Sequence, residues 1–457
     1  MAELVAIGDS LTQGAQSFAV SHADQSYPAR VAECLGLGPL EFRSPRFLGG
    51  GGLPFDLEWM ARRLERLYGS DIARFEWLGA FYHVAEMLDA AEEYWERGRG
   101  ARPVADGRYH NLGIWNFQVC DAYTTTARRC DERLARSRDE LLEPPSYGRM
   151  RIARRVLDPA DTDARRDETQ LDAARAIRER DGRIEHLIVA LGANNCLKSV
   201  LELDVRETGP SSPGPGSRCT LWTPDAFVEE LGRLADGVER IGAERVYLAT
   251  VPRVTRLPIL RGVGAPRPGE RADHYTSAWI ADERFRPDRD PSLTGGQVAR
   301  IDRYIDEYND AIRAVAADRG WTVVDICGLV DALSGSSGEA ARRAALPPEI
   351  ADLSMGFLEI SHAGHVQSGG LVSLDGMHPT GTGYALFARA FVEAMRPHRP
   401  SIEPVDFARA RREDGLVSSP PATLDDIFGM LELLERRLHL SRWLVLTDEH
   451  GPALRSR

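Results

Sequence analysis

The sequence predicts an α/β protein centred on a five-stranded parallel sheet with helices on both faces. Two observations carry this. Five short apolar runs have the length and β-branched content of strands buried on both sides. Each is followed, directly or after an insert, by a stretch with apolar residues at about i, i+3 and i+4. Five β-then-α units in series close most simply as a doubly wound sheet, because parallel neighbours need a crossover and the crossover helices cover the faces. At 457 residues the chain could hold three ordinary domains or one α/β domain enlarged by insertions.

The elements are expected in the following order. A first strand, Leu4–Gly8, turns into a helix over Tyr27–Leu35. Four glycines, Gly49–Gly52, precede an insertion at about 54–105 with two amphipathic patterns, Leu57–Tyr68 and Trp77–Arg97. This insertion is expected to form a lid, with Trp59, Trp77, Tyr82 and Trp95 as its own core. The second strand, His110–Trp115, leads to a helix over Val119–Leu134, and a second insertion follows at about 138–180. The third strand, His186–Leu191, is separated from the helix Pro224–Ile241 by an exposed loop, Thr208–Ser217, rich in Pro, Gly and Ser. The fourth strand, Val246–Val251, precedes a Pro/Arg/Asp-rich excursion over Arg261–Thr294, within an insertion at about 254–296, and then the helix Val298–Arg319. The fifth strand, Thr322–Ile326, an insertion at about 331–372 and the helix Thr380–Met395 complete one domain over 1–397. Residues 398–457 read as a helical extension, with a last amphipathic stretch over Leu424–Leu438.

Composition removes several classes of function. With 69 acidic and 57 basic side chains the net charge is −12. That field repels phosphate backbones, so nucleic acid is not an expected partner. No window approaches 18 uncharged apolar residues, and MAELVAIGDS has neither a basic start nor an apolar signal region, so a cytoplasmic protein without a membrane span is expected. Six cysteines without a CxxC pair read as reduced thiols. The glycine run lacks the Lys-Ser/Thr ending of a phosphate loop. His362 and His365 could share one metal ion, but no third ligand is evident, and neither a metal nor an organic cofactor is expected.

In an open parallel sheet, ligands bind beyond the carboxyl ends of the strands. The residues there are Gly8-Asp9-Ser10-Leu11, Asn116-Phe117 and Gly192-Ala193-Asn194-Asn195, with Asp375-Gly376-Met377-His378-Pro379 standing before the last helix. Together they hold a hydroxyl nucleophile, amide donors and an Asp/His pair, the inventory that acyl transfer needs. Ser10 alone reads equally well as a helix cap. Asp375 and His378 are three residues apart, so the carboxylate can accept a hydrogen bond from the imidazole of its own loop; alone, they too read as a cap and a surface histidine.

Taken jointly, these blocks resemble the SGNH hydrolases of the GDSL esterase/lipase group. Gly8-Asp9-Ser10-Leu11 matches the first block, Asp375 to Pro379 the DxxHP block, and Gly192 to Asn195 the GxND block, in family order across residues 4 to about 396. The resemblance implies a flavodoxin-like three-layer α/β/α fold and a small-molecule ester substrate. It also implies Ser10 as nucleophile, His378 as general base and Asp375 as the group that orients the imidazole. The oxyanion would meet the N–H of Ser10, the N–H of Asn116 and the side-chain amide of Asn194. The chain departs from the family twice: Asn116 stands where a Gly is usual, which leaves Gly49–Gly52 as a rival source of that donor, and Asn195 stands where Asp is usual. Acyl transfer to another acceptor, thioester cleavage and a ligand-binding relative without turnover share the same fold. Acyl-chain length and oligomeric state are not legible.

Overall fold

The computed structural model describes residues 2–430 apart from 48, 50, 74, 103–104, 136–144, 210–217, 265–270, 281, 336–337, 357 and 361–365. Four strands form the central parallel sheet: β1 (Ala2–Gly8), β2 (Ile184–Ala190), β3 (Arg245–Ala249) and β7 (Thr322–Val324), in the order β1-β2-β3-β7. Their side chains alternate between two cores. Val5, Ile7, Leu187, Val189, Val246 and Leu248 join Leu231, Val238 and Ile305 of the helices Pro224–Ile241 and Gly295–Arg319. Leu4, Ala6, Ile188, Tyr247 and Val324 join Tyr27, Val31 and Phe391 of the helices Tyr27–Cys34 and Gly381–Met395. Burying alternate residues on opposite faces is what makes each run nearly all apolar.

The expected five-stranded sheet is corrected to four strands. His110–Trp115 lies beside β1 but is joined by a single parallel bridge, Ala6 to Asn111. The backbone bonds Ala6 N to His110 O, Leu112 N to Ala6 O and Ile114 N to Gly8 O hold it there. It is not a regular strand because the Gly113 N–H donates to the Asn111 side chain at 3.0 Å and the chain then turns through Ile114–Phe117. Counting this segment as second in sequence, the spatial order is 2-1-3-4-5, so the direction of winding reverses between β1 and β2. That reversal opens a crevice at their carboxyl ends.

Other elements differ in detail. Val119–Leu134 is two helices, Asp121–Thr124 and Ala127–Leu134, because Thr126 caps the second by accepting from the Arg129 N–H. The first insertion forms the helices Leu57–Tyr68 and Trp77–Glu92, ending in a π-turn over Glu93–Arg97. Trp95 is buried and Trp59 and Trp77 are half-buried, but Tyr82 is exposed. The excursion after β3 holds an antiparallel sheet of β4 (Leu260–Gly262), β5 (His274–Ser277) and β6 (Leu293–Thr294). Two helices absent from the sequence reading, Gly148–Leu157 and Gln170–Asp181, fall in the segment expected as an insertion, and the second packs on β1 and β2. Beyond residue 397, Glu413 pairs with buried Arg30 at 2.9 Å and Asp414 accepts from the Thr382 N–H at 2.7 Å, so this segment lies on the helices below the sheet. Residues 424–430 are helical; 431–438, His362, His365 and most of the Thr208–Ser217 loop lie outside the described residues. Among the described residues, no helix is long and apolar enough to cross a membrane.

Candidate active site

The register of the sheet sets the site. Gly8 pairs with Ala190, so the turns that leave β1 and β2 emerge level and side by side. Gly8 must be glycine here: a β-carbon would sit 1.9 Å from Thr12 Oγ1 and 2.7 Å from the Ala190 carbonyl. The next residue, Asp9, caps the short helix Ser10–Gln13 by accepting from the Leu11 N–H at 3.0 Å, which leaves the Ser10 hydroxyl at the helix start. Asn111 braces this turn from behind, its amide donating to the Thr12 carbonyl and to Ser26 Oγ.

From the other end of the chain comes the loop Ser373–Pro379. Its carboxylate, Asp375, takes both the Met377 and the His378 N–H on Oδ1 at 2.8 Å, and Gly376 makes the tight turn with φ at +71°. Oδ2 faces the His378 ring, 2.8 Å from Nδ1, and Nε2 of that ring lies 2.9 Å from Ser10 Oγ. Ser10, His378 and Asp375 thus form one unbroken hydrogen-bond chain, all three buried. Burial by itself would raise the Asp375 carboxyl, but the charge and hydrogen bond of His378 and the backbone N–H groups of His378 and Phe18 outweigh it and hold it below the usual carboxylate range.

Three contributors to this geometry carry no sequence motif. Ser17 and Phe18 are both left-handed, with φ at +51° and +63°, and aim their N–H groups at Ser373 Oγ and Asp375 Oδ2, each at 2.9 Å. Such a conformation is rare for a bulky residue, so it is held here by its surroundings. Trp115 packs on the His378 ring with centroids 4.9 Å apart.

The expected amide donors lie nearby. Asn116 follows Trp115 in the turn Ile114–Phe117 with φ at +57°, in the region that Gly reaches freely and Asn best tolerates among other residues. Asn194, after β2, points its amide at the Phe117 carbonyl at 3.0 Å and at Asp9 Oδ2 at 3.4 Å. At the variant position Asn195, the side-chain oxygen accepts from the Val119 N–H at 3.2 Å, a bond a carboxylate would make at the cost of burying a charge. Of the rival run, Gly49 instead lies against Tyr94, Gly51 against Trp59, and Gly52 against Asp56 and Ala19 at the entry to the Leu57–Tyr68 helix.

Ser10 and His378 line a largely apolar pocket. Its walls include Leu197, Leu257, Val330, Leu333, Met355 and Leu371; none of the described residues of the Pro54–Gly100 insertion lines it. The lid expected of that insertion therefore does not form this cavity's wall.

Asp9 also faces the cavity, fully buried, and its burial, only partly offset by the Leu11 N–H and by His378, pushes its carboxyl up to about 7. The folded state thus holds this proton more tightly than the unfolded chain, where the value is about 4. The contribution to stability is complete below about pH 4 and is lost as the pH rises through 7. Asp9→Asn keeps the cap without the charge, so its melting temperature relative to the parent is expected to climb by a few degrees between about pH 5 and pH 8. A difference that stays flat in thermal unfolding across that range would refute the buried-charge account.

No curated protein matches the sequence at a significant level. Among solved structures, LAE5, an alpha/beta hydrolase enzyme from the metagenome of Lake Arreo, Spain, aligns at 14% identity over 86% of this chain and 94% of its own, with a TM-score of 0.30, too low to support an argument. Over residues 4–391 the sequence matches the family described as GDSL-like Lipase/Acylhydrolase, a span running from β1 through the His378 loop to the helix that follows it, and the chain belongs to that family.

Proposed function

We propose that the protein is a serine hydrolase of carboxylic esters acting through an acyl-enzyme on Ser10. The observation that carries this is the relay from Ser10 Oγ through the His378 ring to Asp375, placed at the mouth of an apolar cavity. His378 Nε2 takes the serine proton as Oγ attacks the ester carbonyl, and returns it to the leaving alcohol; water then repeats the cycle on the acyl-enzyme. Asp375 keeps the imidazole in the tautomer with the proton on Nδ1.

The charge that develops on the carbonyl oxygen falls to the N–H of Ser10, the N–H of Asn116 and the amide of Asn194, each donor worth about 3 kcal/mol of barrier. Asn194 can turn one N–H to the oxyanion by releasing its longer bond, the one to Asp9.

Two measurements on the purified protein test this. A fluorophosphonate is expected to label Ser10 and no other residue, with labelling lost in Ser10→Ala; a folded protein that neither takes the label nor hydrolyses any ester would overturn the reading. In the same ester assay, Asn116→Gly is expected to stay active and Asn116→Val to lose about a hundredfold in kcat, because a β-branched residue reaches positive φ only under strain. Full activity in Asn116→Val would move the donor elsewhere.

A further inference from the structure

The cavity beside Ser10 is polar at one end only. Among its described lining residues the polar side chains are Asp9, Ser10, Asn194 and His378, all at the proposed reacting centre, and the other described walls are aliphatic, proline, glycine, methionine or phenylalanine. A polar substrate group carried to the far end would lose its water and find no partner, whereas an aliphatic chain loses nothing there. A second pocket at the ends of β2 and β3, lined by Tyr27, Ala190, Ala249, Thr250, Ile326 and Phe391, shares Asp9, Leu11, Ala193 and Pro252 with it. Phe387 lines both. Its ring packs on Tyr27, with centroids 6.3 Å apart, and on Tyr384 at 6.4 Å.

We propose that this cavity receives the straight aliphatic acyl chain of the ester, and that Phe387, with Val330 and Leu333 of the same apolar lining, sets the length it accepts. This rests on Ser10 being the nucleophile. The acyl group is the part that stays on Ser10 through both half-reactions, and a recessed cavity suits what stays. The alcohol has to leave to solvent, and the half-exposed Trp115 and Asn116, which do not line the cavity, flank the triad where it can do so.

The test uses two series of activated and alkyl esters on the full chain: acyl length varied at one alcohol, and alcohol length varied at acetyl. In the acyl series kcat/KM is expected to rise about fourfold per methylene, the worth of a CH₂ leaving water, and then to break where the chain meets Phe387. The alcohol series is expected to be flat. Phe387→Leu should move the break to longer chains and Val330→Phe to shorter ones, read as the ratio of long-chain to acetyl kcat/KM within each variant, with circular dichroism and melting as the check on folding. If Phe387→Leu fails to fold, Val330→Phe alone decides. A rise in the alcohol series instead, or a break that stays put in every folded variant, overturns the proposal. Should Ser10 be labelled and acetate cleaved while the acyl series is flat, the length device falls and the hydrolase stands; no label and no hydrolysis would take both.

Discussion

Ser10→Ala is expected to slow the hydrolysis of an activated ester by about 10⁴- to 10⁶-fold, His378→Ala by a similar factor, and the double variant little further. The reason is geometric. In the proposed mechanism Ser10 Oγ and His378 Nε2, 2.9 Å apart, exchange one proton, so removing either end leaves the other without a task, and losses within such a unit do not add. What remains is the oxyanion donors and the cavity, which act on whatever water attacks. A double variant slower than either single one by several thousandfold would mean that the two side chains work independently. The variants should differ in stability: Ser10→Ala removes one small hydroxyl, whereas His378→Ala leaves the buried Asp375 carboxylate without its imidazole hydrogen-bond partner. That carboxylate still accepts the N–H groups of Phe18, Met377 and residue 378. The cost should therefore fall near 1–3 kcal/mol rather than at the upper end seen for a stranded charge.

Asp375→Asn is expected to lower kcat by about ten-thousandfold with little change in KM. An asparagine there can keep its oxygen on the Met377 and His378 N–H groups, but its NH₂ then meets the Phe18 N–H and His378 Nδ1, where two acceptor contacts are needed. The imidazole is driven to the tautomer that cannot take the serine proton. A loss of less than about tenfold would remove Asp375 from the mechanism. The same substitution changes the acid limb of stability: the carboxyl is held low in the folded state, so its contribution is present above about pH 4 and is lost as the pH falls. The Asn variant should lack that part of the acid destabilisation.

Much of the site was legible because it is local. Gly8 to Leu11 and Asp375 to Pro379 each contain their own turn, cap and functional group, so spacing alone constrains their geometry. The positive φ at Asn116 could be expected from the residue type. Ser17 and Phe18 could not, since neither residue favours that conformation and the loop that holds them there is more than 350 residues away. Four strands were visible as apolar runs, but His110–Trp115 looked the same, and only the Asn111 side chain shows why it is not a regular strand. Periodicity reports that a face is buried and not what buries it. The amphipathic helices after Gly52 therefore looked like a lid, while the walls of the cavity come from segments that no pattern connects, Leu197, Leu257, Val330 and Met355 among them.

Ser10 and His378 are 368 residues apart in the chain and hydrogen-bonded in the fold. Among the described residues, the strand that forms a full parallel ladder with β1 begins at residue 184, and before it β1 meets only the segment bridged at Asn111. On the proposed mechanism, a chain emerging from the ribosome therefore carries its nucleophile from the start and acquires its base late, well after β1 has gained its parallel ladder partner. On that mechanism, partly synthesised chains are expected to stay inert towards esters, and a nick that frees the His378 loop to disarm the protein without touching Ser10. Esterase activity is then a direct reporter of whether both ends of this long chain have found each other.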